Sequence, residues 1–151
     1  MGLRQGDPLS SYLFVLGAEV LTRLVKREQG RGRLTGHPLD LGHRYIGHLL
    51  YADDCLLVAH ASVEEVGVVR EVLKEYCVIS GQQVNITKSL IIFGSEVHHR
   101  HRRSINRILQ MSESRCLIQY LGVTIGMKRL PISAFNHILE RVRNKLSTWE
   151  A

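Results

Sequence analysis

Hydrophobic positions near the start of the chain recur at helical spacing. Leu13, Leu16, Val20 and Leu24 form one row and Phe14, Leu21 and Val25 an adjoining one, which predicts an amphipathic helix. Asp7-Pro8 supplies its start, and Lys26, Arg27 and Gly30 a basic last turn and a stop. Residues 30–44, rich in Gly, Arg and His and broken by Pro38, read as a loop or loose hairpin. Leu49-Leu50 and Cys55-Leu56-Leu57-Val58 then flank a short polar break, the pattern of two strands joined by a tight turn. Ser62-Val63-Glu64-Glu65 is a capping box that starts a second helix, with Val66, Val69, Leu73 and Cys77 as its stripe and Gly81 as its stop. Leu90 to Phe93 reads as a buried strand ending at Gly94. A polar helix follows over about 97–111, turning Ile105, Ile108 and Leu109 inward. Leu117 to Ile125 is strand-like, and Ile132, Phe135, Ile138, Leu139, Val142, Leu146 and Trp149 mark a final amphipathic helix. The predicted class is α+β, an incomplete antiparallel sheet backed by helices. No internal repeat or low-complexity linker interrupts it.

The length of 151 residues, 44% of them hydrophobic, suits one globular unit with its own core. A net charge of +6 is compatible with polyanionic partners, yet modest enough to be an ordinary basic surface. Cys55, Cys77 and Cys116 are widely spaced and odd in number, which fits neither a zinc pattern nor a disulfide framework. They read as buried free thiols in a reducing, intracellular setting. No signal peptide pattern and no uninterrupted apolar run of the ~18–20 residues that span a bilayer is visible, so no membrane partner is expected. Gly6 stands where a myristoylation signal needs Ser or Thr.

The polar break carries the chemistry. Tyr51-Ala52-Asp53-Asp54 sets two carboxylates side by side at the end of an apolar run. If buried, such a pair resists joint ionisation unless a counter-charge neutralises it. A hard divalent cation such as Mg²⁺, which takes oxygen ligands and bridges to phosphates, is the simplest neutraliser. The competing reading is a solvated hairpin turn, where Asp is common. These four residues alone leave both open.

Further segments add a resemblance. Gly2-Leu3-Arg4-Gln5-Gly6-Asp7-Pro8-Leu9-Ser10 with Tyr12-Leu13-Phe14, then Tyr51-Ala52-Asp53-Asp54, then Ser80-Gly81-Gln82-Gln83-Val84-Asn85-Ile86-Thr87-Lys88-Ser89, then Tyr120-Leu121-Gly122-Val123, resemble in order the palm of reverse transcriptases of non-LTR, LINE-type retrotransposons. The resemblance implies a partial polymerase palm over residues 1–127 and the start of a thumb helix over 128–151. It implies RNA-directed DNA synthesis, with Asp53 and Asp54 as catalytic carboxylates and Mg²⁺ ligands and Lys88 as the group that protonates departing pyrophosphate. Arg4, Gln5, Gly6, Pro8 and Tyr51 would face template, nucleotide or primer, and the partners would be an RNA template, a DNA primer and a dNTP. Ser11 departs from the family's proline. The family's first catalytic aspartate and fingers precede the matched segment, so the resemblance further implies a fragment that binds Mg²⁺ weakly and is inactive unless that part is supplied. A residual nucleic-acid-binding module without catalysis and a decayed retroelement product remain as alternatives.

Each of these residues also has a plainer reading. Arg4 and Lys88 can be solvated surface cations, Lys88 at a strand edge. Asp7 can merely cap its helix. Gly81 and Asn85 suit conformational roles through left-handed backbone and turn hydrogen bonds. The basic run His98-His99-Arg100-His101-Arg102-Arg103 reads first as a solvated helix face, with phosphate contact or adventitious metal binding behind it. An open strand edge beside the carboxylate hairpin predicts poor solubility of the isolated chain.

Overall fold

The computed structural model describes residues 4, 6–38, 45–114, 118–120, 123–125, 131–147 and 149. Helix α1 (Pro8–Gly30) begins where Asp7, in extended conformation, accepts a hydrogen bond from the Leu9 amide at 2.9 Å. Proline at the first helical position costs no hydrogen bond, because that amide would have no helical partner. The predicted bounds of this helix and its cap are therefore both observed. Helix α2 (Val63–Ser80) likewise starts at Ser62, whose hydroxyl accepts from the Glu65 amide at 3.1 Å. It ends at Gly81 with φ of +71°, the left-handed cap that glycine adopts without penalty.

Short strands β1 (His37–Pro38) and β2 (Tyr45–Ile46) pair antiparallel ahead of the hairpin of β3 (His48–Tyr51) and β4 (Asp54–Leu57). Strand β5 (Leu90–Ile91) pairs parallel with β6 (Ser112–Glu113), and α3 (His99–Leu109) makes the crossover between them. Strands β7 (Ile118–Tyr120) and β8 (Val123–Ile125) form an antiparallel hairpin. A 3₁₀ turn at Ile132–Phe135 leads into α4 (Asn136–Ser147). Among the described residues the strands form four separate two-stranded ladders and no continuous sheet.

The core is the junction of α1 and α2. Leu21, Leu24 and Val25 of α1 meet Leu34, Val72 and Tyr76, while Leu50, Leu57 and Ala59 of the hairpin segment close over them. Strand β3 can lie this close to α1 because residue 47 is glycine. A Cβ there would stand 2.5 Å from the Gln29 side-chain amide and 3.2 Å from Val25 Cγ1, so the end of Gln29 would have to swing away and Val25 to yield slightly.

Several expected inward faces turn out otherwise. Among the described residues α2 covers only the second half of α1, and Leu13, Phe14 and Leu16 are exposed instead of packed. On α2 the buried line is Val66, Val72 and Tyr76, and Leu73 and Cys77 sit at its margin. Cys55 is exposed and Cys77 half-buried, which corrects the expectation of buried thiols, and Cys116 lies outside the described residues. Leu90 is exposed rather than buried. On α4 no residue is buried, and Leu139, Val142 and Leu146 face solvent. Helix α1 has 23 residues, and an 18-residue stretch of it, with mean hydropathy 1.3, is long and apolar enough to cross a membrane. Ser10, Ser11, Glu19 and Arg23 interrupt its apolar residues, so the sequence shows no continuous apolar run there. Its second half packs on α2, while 17% of that stretch is buried.

Candidate functional site

The hairpin forms as its sequence dictates. Alternation over Leu49-Leu50 sends Leu50 toward α1 and α2 and leaves Leu49 exposed, and the cross-strand pairs run Leu49 to Leu56, Leu50 to Cys55 and Tyr51 to Asp54. Tyr51 and Asp54 thus close a two-residue turn of Ala52 and Asp53. Ala52 carries φ of +47°, a left-handed conformation that costs an L-residue roughly 1 kcal/mol. A two-residue hairpin turn needs such a residue because its twist must match that of the strands. The strain therefore sits between Tyr51 and the two aspartates.

Both carboxylates are exposed, which corrects the picture of a buried pair needing neutralisation. Among the described residues neither one accepts a hydrogen bond or forms an ion pair, so their oxygens are free to meet a ligand. The Tyr51 ring is 62% exposed and stands beside Asp54 across the closing pair. Burial, and then the negative charge of Asp54, hold the Tyr120 phenol of β7 above its usual range. No group of three or more His, Cys, Asp or Glu residues that could hold a metal exists among the described residues. Two free carboxylates fit Mg²⁺ only in part, the rest of its octahedron falling to water and substrate phosphate.

The other sequence candidates are placed as follows. Arg4 and Gly6 are exposed in the turn before α1, where the Arg4 carbonyl accepts the Asp7 amide at 3.0 Å. Gly6 has φ of +88°, with open space where a Cβ would go, so the backbone and not crowding calls for glycine. Pro8 is exposed at the helix start, Asp7 acts as the cap, and Gln5 lies outside the described residues. Lys88 is exposed in a separate turn before β5 and makes no ion pair with Asp53 or Asp54. That turn is built by Asn85, whose Oδ1 accepts from the Thr87 hydroxyl at 2.7 Å and the Lys88 amide at 3.2 Å. Asn85 and Gly81 thus have the conformational roles expected of them.

One cluster was not anticipated. Glu28 in the last turn of α1 is 1% exposed and accepts from Arg27 Nε at 2.8 Å, Arg31 Nη1 at 3.2 Å and Arg33 Nε at 2.6 Å. Arg27 reaches on to both carboxylate oxygens of Glu75 on α2, at 2.9 and 2.6 Å. These contacts hold the Glu28 carboxyl below its ordinary range against the opposing effect of burial, which is the largest single influence on it. The signal available was the spacing of Arg27, Arg31 and Arg33 around one glutamate.

Compared with known proteins, the chain is 57% identical over 53 residues to an uncharacterized mitochondrial protein of Arabidopsis thaliana, a match covering 35% of this chain and 43% of that protein. It is 30% identical over 150 residues to the transposon TX1 uncharacterized 149 kDa protein of Xenopus laevis, covering 99% of this chain and 11% of that protein. The chain is therefore similar along nearly its whole length to a transposon-encoded protein, of which it spans about a tenth. No protein-family profile matches it, and no solved structure does.

Proposed function

We propose that this chain is a palm segment of an RNA-directed DNA polymerase of a mobile element, acting on an RNA template, a DNA primer and a dNTP. The observation that carries the reading is the hairpin tip, where Asp53 and Asp54 stand adjacent, exposed and, among the described residues, without hydrogen-bond or ion-pair partners. The likeness to a transposon-encoded protein supports the origin.

In this reading Asp53 and Asp54 supply oxygen ligands to Mg²⁺. The bound cation would supply activation of the primer 3′-hydroxyl and stabilisation of the leaving group. Tyr51 offers its exposed ring under the primer end, and Ala52 adds little bulk between them. Arg4, Gln5, Gly6 and Pro8 would contact template and incoming nucleotide. The 3′-hydroxyl gives its proton to solvent water as its oxygen attacks the α-phosphate, the α–β phosphoanhydride bond breaks, and Lys88 gives a proton to the departing pyrophosphate. Lys88 occupies a different turn from the carboxylates, so this last role requires substrate to span the two.

A second reading, a nucleic-acid-binding module without catalysis, is favoured by one observation. Among the described residues no third ligand joins the aspartates. Titration of Mn²⁺ with dGTP, followed by electron paramagnetic resonance, separates the two. The polymerase reading expects ternary binding that Asp53→Asn weakens by at least about tenfold, the lower bound for losing even an outer-shell partner of a metal site. Equal binding by wild type and Asp53→Asn would remove the hairpin from the account.

A further inference from the structure

Helix α3 has no part in the hairpin, and its two sides differ sharply. Ile105 is 1% exposed and faces inward. Arg102 fixes the start of the helix to the β5–β6 pair. Its guanidinium donates to the Val97 carbonyl at 2.8 Å, the Gly94 carbonyl at 3.1 Å and the Glu113 carboxylate at 2.9 Å, and lies 5.4 Å from the centre of the Phe93 ring. With Arg102 and Ile105 held inward, helical geometry turns Arg100, Arg103 and Arg107 to the opposite side. All three are exposed, as are His98 and His99.

No carboxylate among the described residues pairs with Arg100, Arg103 or Arg107, and the first turn of the helix contains no acid. Basic groups in a first turn oppose the helix dipole, so the arrangement is unfavourable by itself. The crowding registers at His99, whose imidazole is held below its usual range by desolvation and then by repulsion from His98 and Arg103.

We infer that the Arg100–Arg103–Arg107 stripe is a contact surface for the phosphate backbone of a single nucleic-acid strand, separate from the carboxylate hairpin. At 1.5 Å per residue the stripe runs about 10 Å, which lets each of its three long arginine side chains reach a different phosphate of one strand. Guanidinium groups match phosphate oxygens in pairs, with charge-assisted hydrogen bonds. An anionic membrane suits the stripe less. A helix lying on lipid must bury its apolar side in the bilayer, and that side of α3 is already packed inward at Ile105. The inference stands on α3 alone and survives if the polymerase reading fails.

The test is fluorescence anisotropy of a labelled mixed-sequence single-stranded RNA of 20 nucleotides, titrated with the full chain between 50 and 200 mM salt. The variant Arg100→Gln/Arg103→Gln/Arg107→Gln is compared with a control of equal charge loss, Lys26→Gln/Arg70→Gln/Lys74→Gln, taken from exposed positions of α1 and α2. Three contacts on a single strand contribute about 2 to the slope of log affinity against log salt. The expected result is that slope lost in the α3 variant and kept in the control, so that wild type loses about twentyfold more affinity than the α3 variant over this salt range. Should the triple variant melt below wild type, the three single substitutions are read instead, each expected to remove about 0.7 of slope. Equal losses in both triple variants, no loss in the α3 variant, or no RNA binding by wild type would overturn the inference. So would phosphatidylserine vesicle binding that depends on the stripe while RNA binding does not.

Discussion

Replacing Glu28 with glutamine removes the one buried negative charge at the end of α1 while keeping its shape. Breaking a buried ion pair by losing one partner costs about 3–5 kcal/mol. Here the cover over the carboxylate is thin, since it consists of the guanidinium groups themselves, which are 38%, 57% and 45% exposed for Arg27, Arg31 and Arg33. Water screens part of the interaction, which brings the expected loss down to about 2 kcal/mol. For a chain of this length that is a fall in Tm of about 4–8 °C. The pH dependence has a definite sign. The Glu28 carboxyl is held below its ordinary range in the folded protein. Its contribution is therefore complete above the unfolded carboxylate pKa of about 4.3 and is lost as pH falls through that value and on through the folded one. Thermal melts followed by circular dichroism at pH 7 and at stepwise lower pH should show a gap between wild type and Glu28→Gln that narrows below about pH 4. The same Tm at pH 7, or a gap that stays constant into acid, would refute the cluster as a joint between α1, the 31–35 turn and α2.

Two further outcomes follow from the backbone and the surface. Ala52→Gly at φ +47° should leave stability equal or raise it by up to about 1 kcal/mol, relief of left-handed strain being offset by a freer unfolded chain, whereas Ala52→Val should lower it by about 1–2 kcal/mol because branching at Cβ is incompatible with that φ. Urea denaturation reads both, and a valine variant as stable as wild type would contradict the turn geometry. The exposed Leu13 and Leu16 of α1 and Leu139 and Val142 of α4 should make the isolated chain self-associate. Sedimentation velocity should show species heavier than 17.2 kDa, reduced by Leu13→Glu/Leu16→Glu; a monodisperse wild-type monomer would contradict this.

The parts of the fold legible in the sequence were those fixed by local chemistry. Asp7-Pro8, Ser62 and Gly81 mark helix ends whatever the rest of the chain does, and the residues named from them are the ones observed. The hairpin at Tyr51–Asp54 was legible for the same reason, because a polar break between two apolar runs admits few alternatives. Which side of each helix is buried was less so. Periodicity gives α1 a stripe from Leu13 to Val25, but only a partner decides how much is covered, and α2 covers only Leu21, Leu24 and Val25. The parallel β5–β6 pair has two residues per strand and spans a helix, too little for any pattern to register. Glu28 was missed because a glutamate in a last helical turn opposes the dipole and reads as exposed. Its burial depends on arginines that fold back over it from beyond the helix end. At the candidate site, Asp53, Asp54 and Tyr51 were legible from adjacency, whereas their exposure needed the structure.

The central claim is that the Asp53–Asp54 hairpin serves RNA-templated DNA synthesis. The direct measurement is primer extension on an RNA template with Mg²⁺ and dNTPs, using this chain together with the fingers and first palm strand of a LINE-type reverse transcriptase supplied in trans. The account predicts extension by the mixture, none by either part alone, and loss of extension with Asp53→Asn. Extension by the mixture that Asp53→Asn leaves intact, or no extension from a mixture of folded parts that bind each other, would contradict it.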